Sequence, residues 1–355
     1  MTDPKKSGKF KEYLEVERLK INQSLQDYFQ VIIDGVNDRE MKKIVTEIRN
    51  YTMNGGKRVR PILIATAFRM FGGRGDEIYR AAISIELSQS FFLIHDDIMD
   101  RSDLRRGFKS FHRKVEEMLG DIKDREHMAE SLAIVAGDLA VDYSFDALTR
   151  SNFPLTVKFK ALQQLVEIIK VTGYGEGLDM FSSAGVKLKM NDLIRLHLRK
   201  TAKYTLEGPL LMGSYLAGRD QNLNALKAYG NLVGLAFQLH DDVIGLFGTQ
   251  EEIGKPPKSD VNEGKQTLLM IKAMERAEKG EKEFIQKCLD SGDINDHDFE
   301  RLKEIVKNTH SYDYSRWLIE RFIESGKRYI SQIDGNPEQK EFLEWFADYL
   351  VSRRY

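Results

Sequence analysis

The 355-residue sequence holds one cysteine, Cys288, and seven prolines. A lone cysteine excludes an internal disulfide framework and suits a reducing cytoplasm, the location expected here. No apolar run reaches membrane-spanning length, and the opening MTDPKKSGKFKEYLE has no hydrophobic signal core, so no integral membrane segment is expected. The formal net charge is −1. Such a chain has no global field to draw nucleic acid, and any basic site has to be local. Alternating strand patterns are scarce as well.

What is present is helical periodicity. IYRAAISIELSQSFFLIHDDIMD, FKALQQLVEIIKVTGYGEGLDMF and LKAYGNLVGLAFQLHDDVIGLFG carry apolar residues at three- and four-residue spacing. The fold expected is therefore all-α, with roughly ten or more helices. Breaks fall at NGGKRVRP, FGGRGD, SNFP and GTQEEIGKPPKSD, each rich in Gly, Pro, Asn or Ser. None has the length of a linker, so residues 1–355 are expected to form one domain, with the first eight residues a frayed tail.

Two helices end alike: FFLIHDDIMD and AFQLHDDVIG both run apolar residues into His-Asp-Asp. At 100° per residue, Asp96 and Asp100 stack on one stripe, with Gln89 and Phe92 below them. Exposed carboxylates at this spacing are usually a solvated face. Here the preceding helix is almost wholly apolar and has to be buried, so its acids need a cation. All-oxygen ligands without cysteine favour Mg2+, which bridges one or two carboxylates to substrate phosphates. Asp241 and Asp242 form a second acidic end, expected to meet the first across a cavity and hold magnesium on a polyphosphate. His95 and His240 lie off their aspartate stripes, so packing is expected of them rather than metal ligation.

Cations accompany the acids. GGKRVRP places Lys57 and Arg60 after a flexible Gly-Gly, with Pro61 opening the next helix, an arrangement that suits phosphate. Arg105 and Arg106 add planar, permanently charged forks. Lys200 with Thr201, and Lys255, Lys258 and Lys265, surround the second acidic end.

Together these motifs resemble the trans-prenyl diphosphate synthases, the family of farnesyl and geranylgeranyl diphosphate synthases. From about Gly55 to Thr267 they stand in family order: GGKRVRP, DDIMDRSDLRRG, AGD at 136–138, KT at 200–201, FQLHDD and GKPPKSDVNEGK. The resemblance implies antiparallel helices around a deep central cavity, a homodimer, and head-to-tail condensation of isopentenyl diphosphate with allylic prenyl diphosphates. By motif position, Asp96 and Asp100 would hold two magnesium ions on the allylic diphosphate and Asp241 a third. Arg105, Lys200 and Lys255 would bind that diphosphate as well. Lys57, Arg60, Gln89 and Arg106 would bind isopentenyl diphosphate, with Lys265 near the mouth. Thr201 and Gln238 would lie beside the developing carbocation. Phe91 and Phe92, five and four places before the first aspartate, would floor the product pocket and stop growth at fifteen or twenty carbons.

The sequence departs from the family pattern in places. The second motif ends in Gly245 where the family usually has aspartate, as in archaeal members. One extra residue separates Lys255 from Lys265, and the charged stretch EEMLGDIKDREHMAE is longer than usual and has no assigned role. A terpene cyclase would need other residues at Gly245 and Thr249. A non-catalytic subunit should have lost the aspartates and lysines that this chain keeps.

Overall fold

The computed structural model describes residues 4–249 and 258–352. Its elements are α1 (Pro4–Gly35), α2 (Arg39–Met53), α3 (Val59–Met70), α4 (Glu77–Met99), β1 (Leu104–Arg105), β2 (Phe108–Lys109), α5 (Phe111–Leu119), α6 (Arg125–Thr149), α7 (Leu155–Ser183) and α8 (Met190–His197). A π-helical segment, Leu198–Glu207, then leads into α9 (Gly208–Leu216), α10 (Asn224–Phe247), α11 (Ser259–Asn262), α12 (Leu268–Arg276), α13 (Lys279–Asp290), α14 (Asp296–Asn308), α15 (Ser311–Ile330) and α16 (Pro337–Val351). The all-α expectation holds, and the breaks at NGGKRVRP, FGGRGD and SNFP separate helices; most of GTQEEIGKPPKSD lies outside the described residues. Helix α1 begins at Pro4, so residues 4–8 are helical where a frayed tail was expected. Proline suits a first helical turn because its missing N–H has no partner there anyway. Among the described residues no helix is long and apolar enough to cross a membrane.

The chain divides into two compact units. The first comprises Met1–Val166, Pro209–Gln221 and Gly335–Gln339; the second comprises Glu167–Gly208, Asn222–Asp334 and Lys340–Tyr355. Three of these boundaries fall inside α7, α9 and α16, which is why no linker composition marks them.

In the first unit α4 packs on α6, α3 and α1. Ile78 through Ser90 of α4 are buried almost without interruption, as a central helix apolar on all sides requires. Polar groups within this core are paired. Arg58, 2% exposed, takes a left-handed conformation (φ 53°) at the start of α3 and forms a 2.7 Å ion pair with buried Glu86. After α4 the chain makes a two-residue hairpin, Arg105 pairing with Phe108. Its turn residues Arg106 and Gly107 both have positive φ (53° and 79°), the backbone of the tightest hairpins. Strands of two residues carry no alternation to read, and the hairpin was not anticipated. It sends Arg105 and Arg106 to different places.

In the second unit α10 packs against the π-helical segment and α15. The π segment is held by close backbone contact. A Cβ at Gly234 would lie 2.6 Å from Ala202 Cα, one at Gly230 2.7 Å from Glu207 Cα, and one at Gly175 2.6 Å from the Lys200 nitrogen. Gly230 and Gly234 are one turn apart and so share a face of α10. π-Helical turns are rare and gather at functional sites, and this one carries Lys200 and Thr201.

Gly234→Ala should therefore displace the π segment and cost about 1–3 kcal/mol of overpacking. Urea unfolding followed by circular dichroism measures this; an unchanged midpoint would mean that the close contact is not required.

Candidate active site

In the first unit the acids stand at the C-terminal end of α4. Asp100 caps the helix, its backbone N–H donating to the Asp96 carbonyl oxygen at 2.8 Å. The C-terminal end of a helix already carries partial negative charge, so carboxylates there raise the demand for cations. Asp96 is half-buried, Asp100 exposed, and Asp97 between them has no exposure at all.

Asp97, which the sequence reading passed over, is the anchor. It accepts from the Tyr51 hydroxyl at 2.6 Å and from Arg105 Nε at 2.6 Å, while Arg105 Nη2 reaches Asp96 at 3.1 Å. Burial pushes the Asp97 carboxyl up, against the pull of Arg105 and Tyr51. Burial acts to lower Arg105, but Asp97 and then Asp96 outweigh it and hold the guanidinium above its usual range. Arg105 is thus a counter-ion inside the acidic cluster, fixed before any diphosphate arrives. Tyr51 had no sequence signal beyond its place on the buried face of α2.

Arg106 goes elsewhere. Its Nη1 donates to the Asn54 carbonyl oxygen at 3.2 Å, and its side chain lies so close to Gly55 and Gly56 that a Cβ there would meet it at 3.2 and 3.0 Å. The glycines of GGKRVRP therefore supply room for an arginine as well as flexibility. Burial alone would push the Glu86 carboxyl up; the charges of Arg58, Arg106 and Arg60 outweigh it and bring the group below its usual range. Arg60 and Arg106, assigned together from sequence, thus share one electrostatic environment over a buried Glu86–Arg58 base. Lys57 is exposed on the same loop, and Gln89 is buried in α4.

Phe91 and Phe92, both half-buried, contact each other with centroids 4.8 Å apart, and Phe91 meets the His95 ring edge-on at 4.9 Å. His95 Nε2 lies 3.1 Å from the Ile134 carbonyl oxygen. A Cβ at Gly137 would strike that ring at 2.2 Å, which gives the glycine of the AGD motif its reason. His95 packs, as expected.

In the second unit Lys200, Thr201, Gln238, Asp241 and Lys265 line one cavity of about 280 Å³, so five residues named from sequence come together. Lys200 pairs with Glu176 at 2.9 Å and Asp179 at 2.6 Å, two acids of α7 that were not anticipated. Lys258 instead pairs with Asp296 at 2.5 Å. Lys255 lies outside the described residues.

Gly245, where the family usually has an aspartate, is not an empty place. A Cβ there would lie 2.3 Å from Asp260 Oδ2, so a carboxylate from α11 stands at this position. Asp260 and Glu263 also embrace Lys265; burial acts to lower its ammonium, and the two acids outweigh that and hold it well above its usual range.

Among the described residues no three His, Cys, Asp or Glu side chains gather as a ready metal cage. Half-buried Asp96 and exposed Asp100 supply the oxygen ligands that magnesium takes, commonly one or two carboxylates together with substrate phosphates.

A model of the polyprenyl synthetase family matches residues 42–307. The chain belongs to the polyprenyl synthetase family. The match takes in both acidic ends, GGKRVRP and the KT pair. Among relatives, a geranylgeranyl diphosphate synthase of Methanosarcina mazei is 32% identical over 303 residues, covering 85% of this chain and 87% of that protein. A geranylfarnesyl diphosphate synthase of Natronomonas pharaonis is 31% identical over 85% of this chain and 87% of its own length. A geranylgeranyl pyrophosphate synthase of Corynebacterium glutamicum, solved with isoprenyl diphosphate and magnesium, superposes with a TM-score of 0.87 at 30% identity, covering 97% of this chain and 99% of that one.

The pairing in this family member separates two adjacent aspartates. Asp97→Ala leaves Arg105 and Tyr51 without their buried acceptor and should cost about 3 kcal/mol of stability. Asp96→Ala should cost under about 1 kcal/mol, because its pair is half-exposed. Urea titrations of both variants measure this; equal losses would contradict it.

Proposed function

We propose that this chain is a short-chain prenyltransferase that condenses isopentenyl diphosphate head to tail with allylic diphosphates, giving geranylgeranyl diphosphate and some farnesyl diphosphate. The cavity of the second unit is the observation that carries this reading. Asp241, Lys200 and Lys265 line it, a set suited to a diphosphate, together with the hydrogen-bonded Thr201–Gln238 pair. The relatives' names support the same reaction class.

Asp96, Asp100 and Asp241 would hold the magnesium, three ions per active site. Bound there, magnesium supplies Lewis-acid stabilisation of the diphosphate oxygens as the carbon–oxygen bond ionises. Arg105, fixed by Asp97, holds Asp96 by a direct contact, and with Lys200 and Lys255 it opposes the charge left on the departing diphosphate. Lys57, Arg60, Gln89 and Arg106 bind isopentenyl diphosphate, and Lys265 acts near the mouth. The isopentenyl double bond attacks the allylic cation at its first carbon. A proton is then lost to the departing diphosphate, so no histidine base is needed. Apolar walls exclude water, which would otherwise quench the cation.

Phe91 lies one turn below His95 and Phe92 one turn below Asp96, at about 6 Å for a 1.5 Å rise per residue, so a tail anchored at the aspartates grows towards them. The chain acts as one catalytic domain in the cytoplasm and as a homodimer. Met128, Ile134 and Val135 of α6 and Leu155 and Phe159 of α7 are large apolar side chains of the first unit left exposed, which supports a partner there.

Purified protein supplied with labelled isopentenyl diphosphate, an allylic starter and magnesium should incorporate label into geranylgeranyl diphosphate, identified by chromatography against prenyl standards. Excess chelator should abolish incorporation. Replacing both Phe91 and Phe92 with alanine should lengthen the product by one or more five-carbon units. Incorporation undiminished by chelator would refute the magnesium assignment, and an unchanged product from an active double variant would place the floor elsewhere.

A further inference from the structure

The cavity of the second unit contains a chain of polar contacts that the roles above leave unexplained. Thr201 Oγ1 donates to Gln238 Oε1 at 2.6 Å, and Gln238 Nε2 donates to Asp242 Oδ1 at 2.9 Å. The other Asp242 oxygen, Oδ2, lies 3.2 Å from His197 Nε2, in ion-pair range though not aligned as a hydrogen bond. His197 and Asp242 are only 5% and 8% exposed, and all four residues line the cavity. Gln238 and Asp242 stand one turn apart on α10, while His197 ends α8 one turn before Thr201.

We infer that Asp242, supported by His197, is a positioning residue that fixes the direction in which the Thr201 hydroxyl points. The inference rests on the prenyl-transfer reading and extends it. An ionised carboxylate only accepts hydrogen bonds. Asp242 therefore admits the NH2 end of the Gln238 side chain and rejects its carbonyl end. The carbonyl end is left facing Thr201, and it too only accepts. The one proton of the Thr201 hydroxyl is thereby committed to Gln238, and the lone pairs of that oxygen remain for the cavity.

That polarity has a chemical use. A hydroxyl whose proton is drawn away presents its negative end to a developing allylic cation; a reversed hydroxyl would present its proton and repel it. Dipoles oriented before the reaction need no reorganisation when charge appears, and that is the larger part of electrostatic catalysis. His197 holds the chain at its far end. Without it Asp242 Oδ2 would lose the polar side chain 3.2 Å away, and a buried acceptor stripped of a polar neighbour is costly. The second aspartate of the second acidic motif thus belongs to the hydrocarbon end of the reaction, whereas Asp241 next to it serves the diphosphate.

Asp242→Asn tests this with almost no change of shape, because an amide donates as well as accepts and no longer dictates how Gln238 lies. Turnover should fall on the order of tenfold to a hundredfold, with the Michaelis constants of both diphosphates and the helical circular dichroism unchanged. Thr201→Val should lower turnover in the otherwise unaltered protein and have no further effect in the Asp242→Asn background. His197→Leu should reproduce the loss, and His197→Gln, which keeps a side-chain N–H donor, should recover most of it. If Asp242→Asn does not fold, the two His197 variants decide. Turnover of Asp242→Asn within about twofold of the unaltered protein would overturn the inference. So would a full Thr201→Val loss in that background, or equal losses from both His197 variants. An active parent protein with unaffected variants would sink this inference alone; an inactive parent would overturn the prenyl-transfer reading with it.

Discussion

Carboxylates at the C-terminal end of an apolar helix are the constraint on which the first unit depends. They sit at the negative pole of α4 and beside its buried wall, where uncompensated charge is costly. The compensation is divided between two aspartates. Asp97, fully buried, is satisfied permanently by Arg105 and Tyr51, whereas Asp96 shares only one arm of Arg105 and Asp100 is exposed. The inner carboxylate is tied to two partners, whereas the outer two stand nearer the surface. The first arginine belongs to the acids, and the tight hairpin turn carries the second away to the Gly55–Gly56 loop.

The second unit solves a similar problem with other means. Its basic groups are held by acids from neighbouring helices: Lys200 by Glu176 and Asp179, Lys265 by Asp260 and Glu263. Three glycines let the backbone of the π segment press close enough to α7 and α10 for these contacts to form. The polar chain from Thr201 through Gln238 to Asp242 lines the same cavity and uses none of these charged pairs.

Much of this was legible in the sequence. Helical periodicity made the all-α fold plain, and the order of the motifs carried the family. Lys200, Thr201, Gln238, Asp241 and Lys265, scattered over 66 positions, were grouped by motif and do line one cavity. Other features had no one-dimensional signature. Asp97 and Asp96 are neighbours of identical type, and only burial tells them apart. Tyr51 reaches Asp97 in the first unit, and Glu176 and Asp179 reach Lys200 in the second, across helices whose packing angles the periodicity does not encode. Glycine spacing at 230 and 234 was a readable sign of close helix approach, but nothing in it announced a π-helical partner. The glycine at 245 looked like a missing carboxylate; the chain brings Asp260 to that point from fifteen residues away.

The central claim is that neither acidic end is a finished metal site and that diphosphate completes each. Calorimetric titration of magnesium into the protein, with and without inorganic diphosphate, tests it directly. The account predicts negligible heat for magnesium alone and, once diphosphate is present, saturable binding beyond the heat of magnesium diphosphate formation in buffer, reduced by Asp96→Ala and by Asp241→Ala and abolished only when both are replaced. Tight magnesium binding to the protein without diphosphate would contradict it.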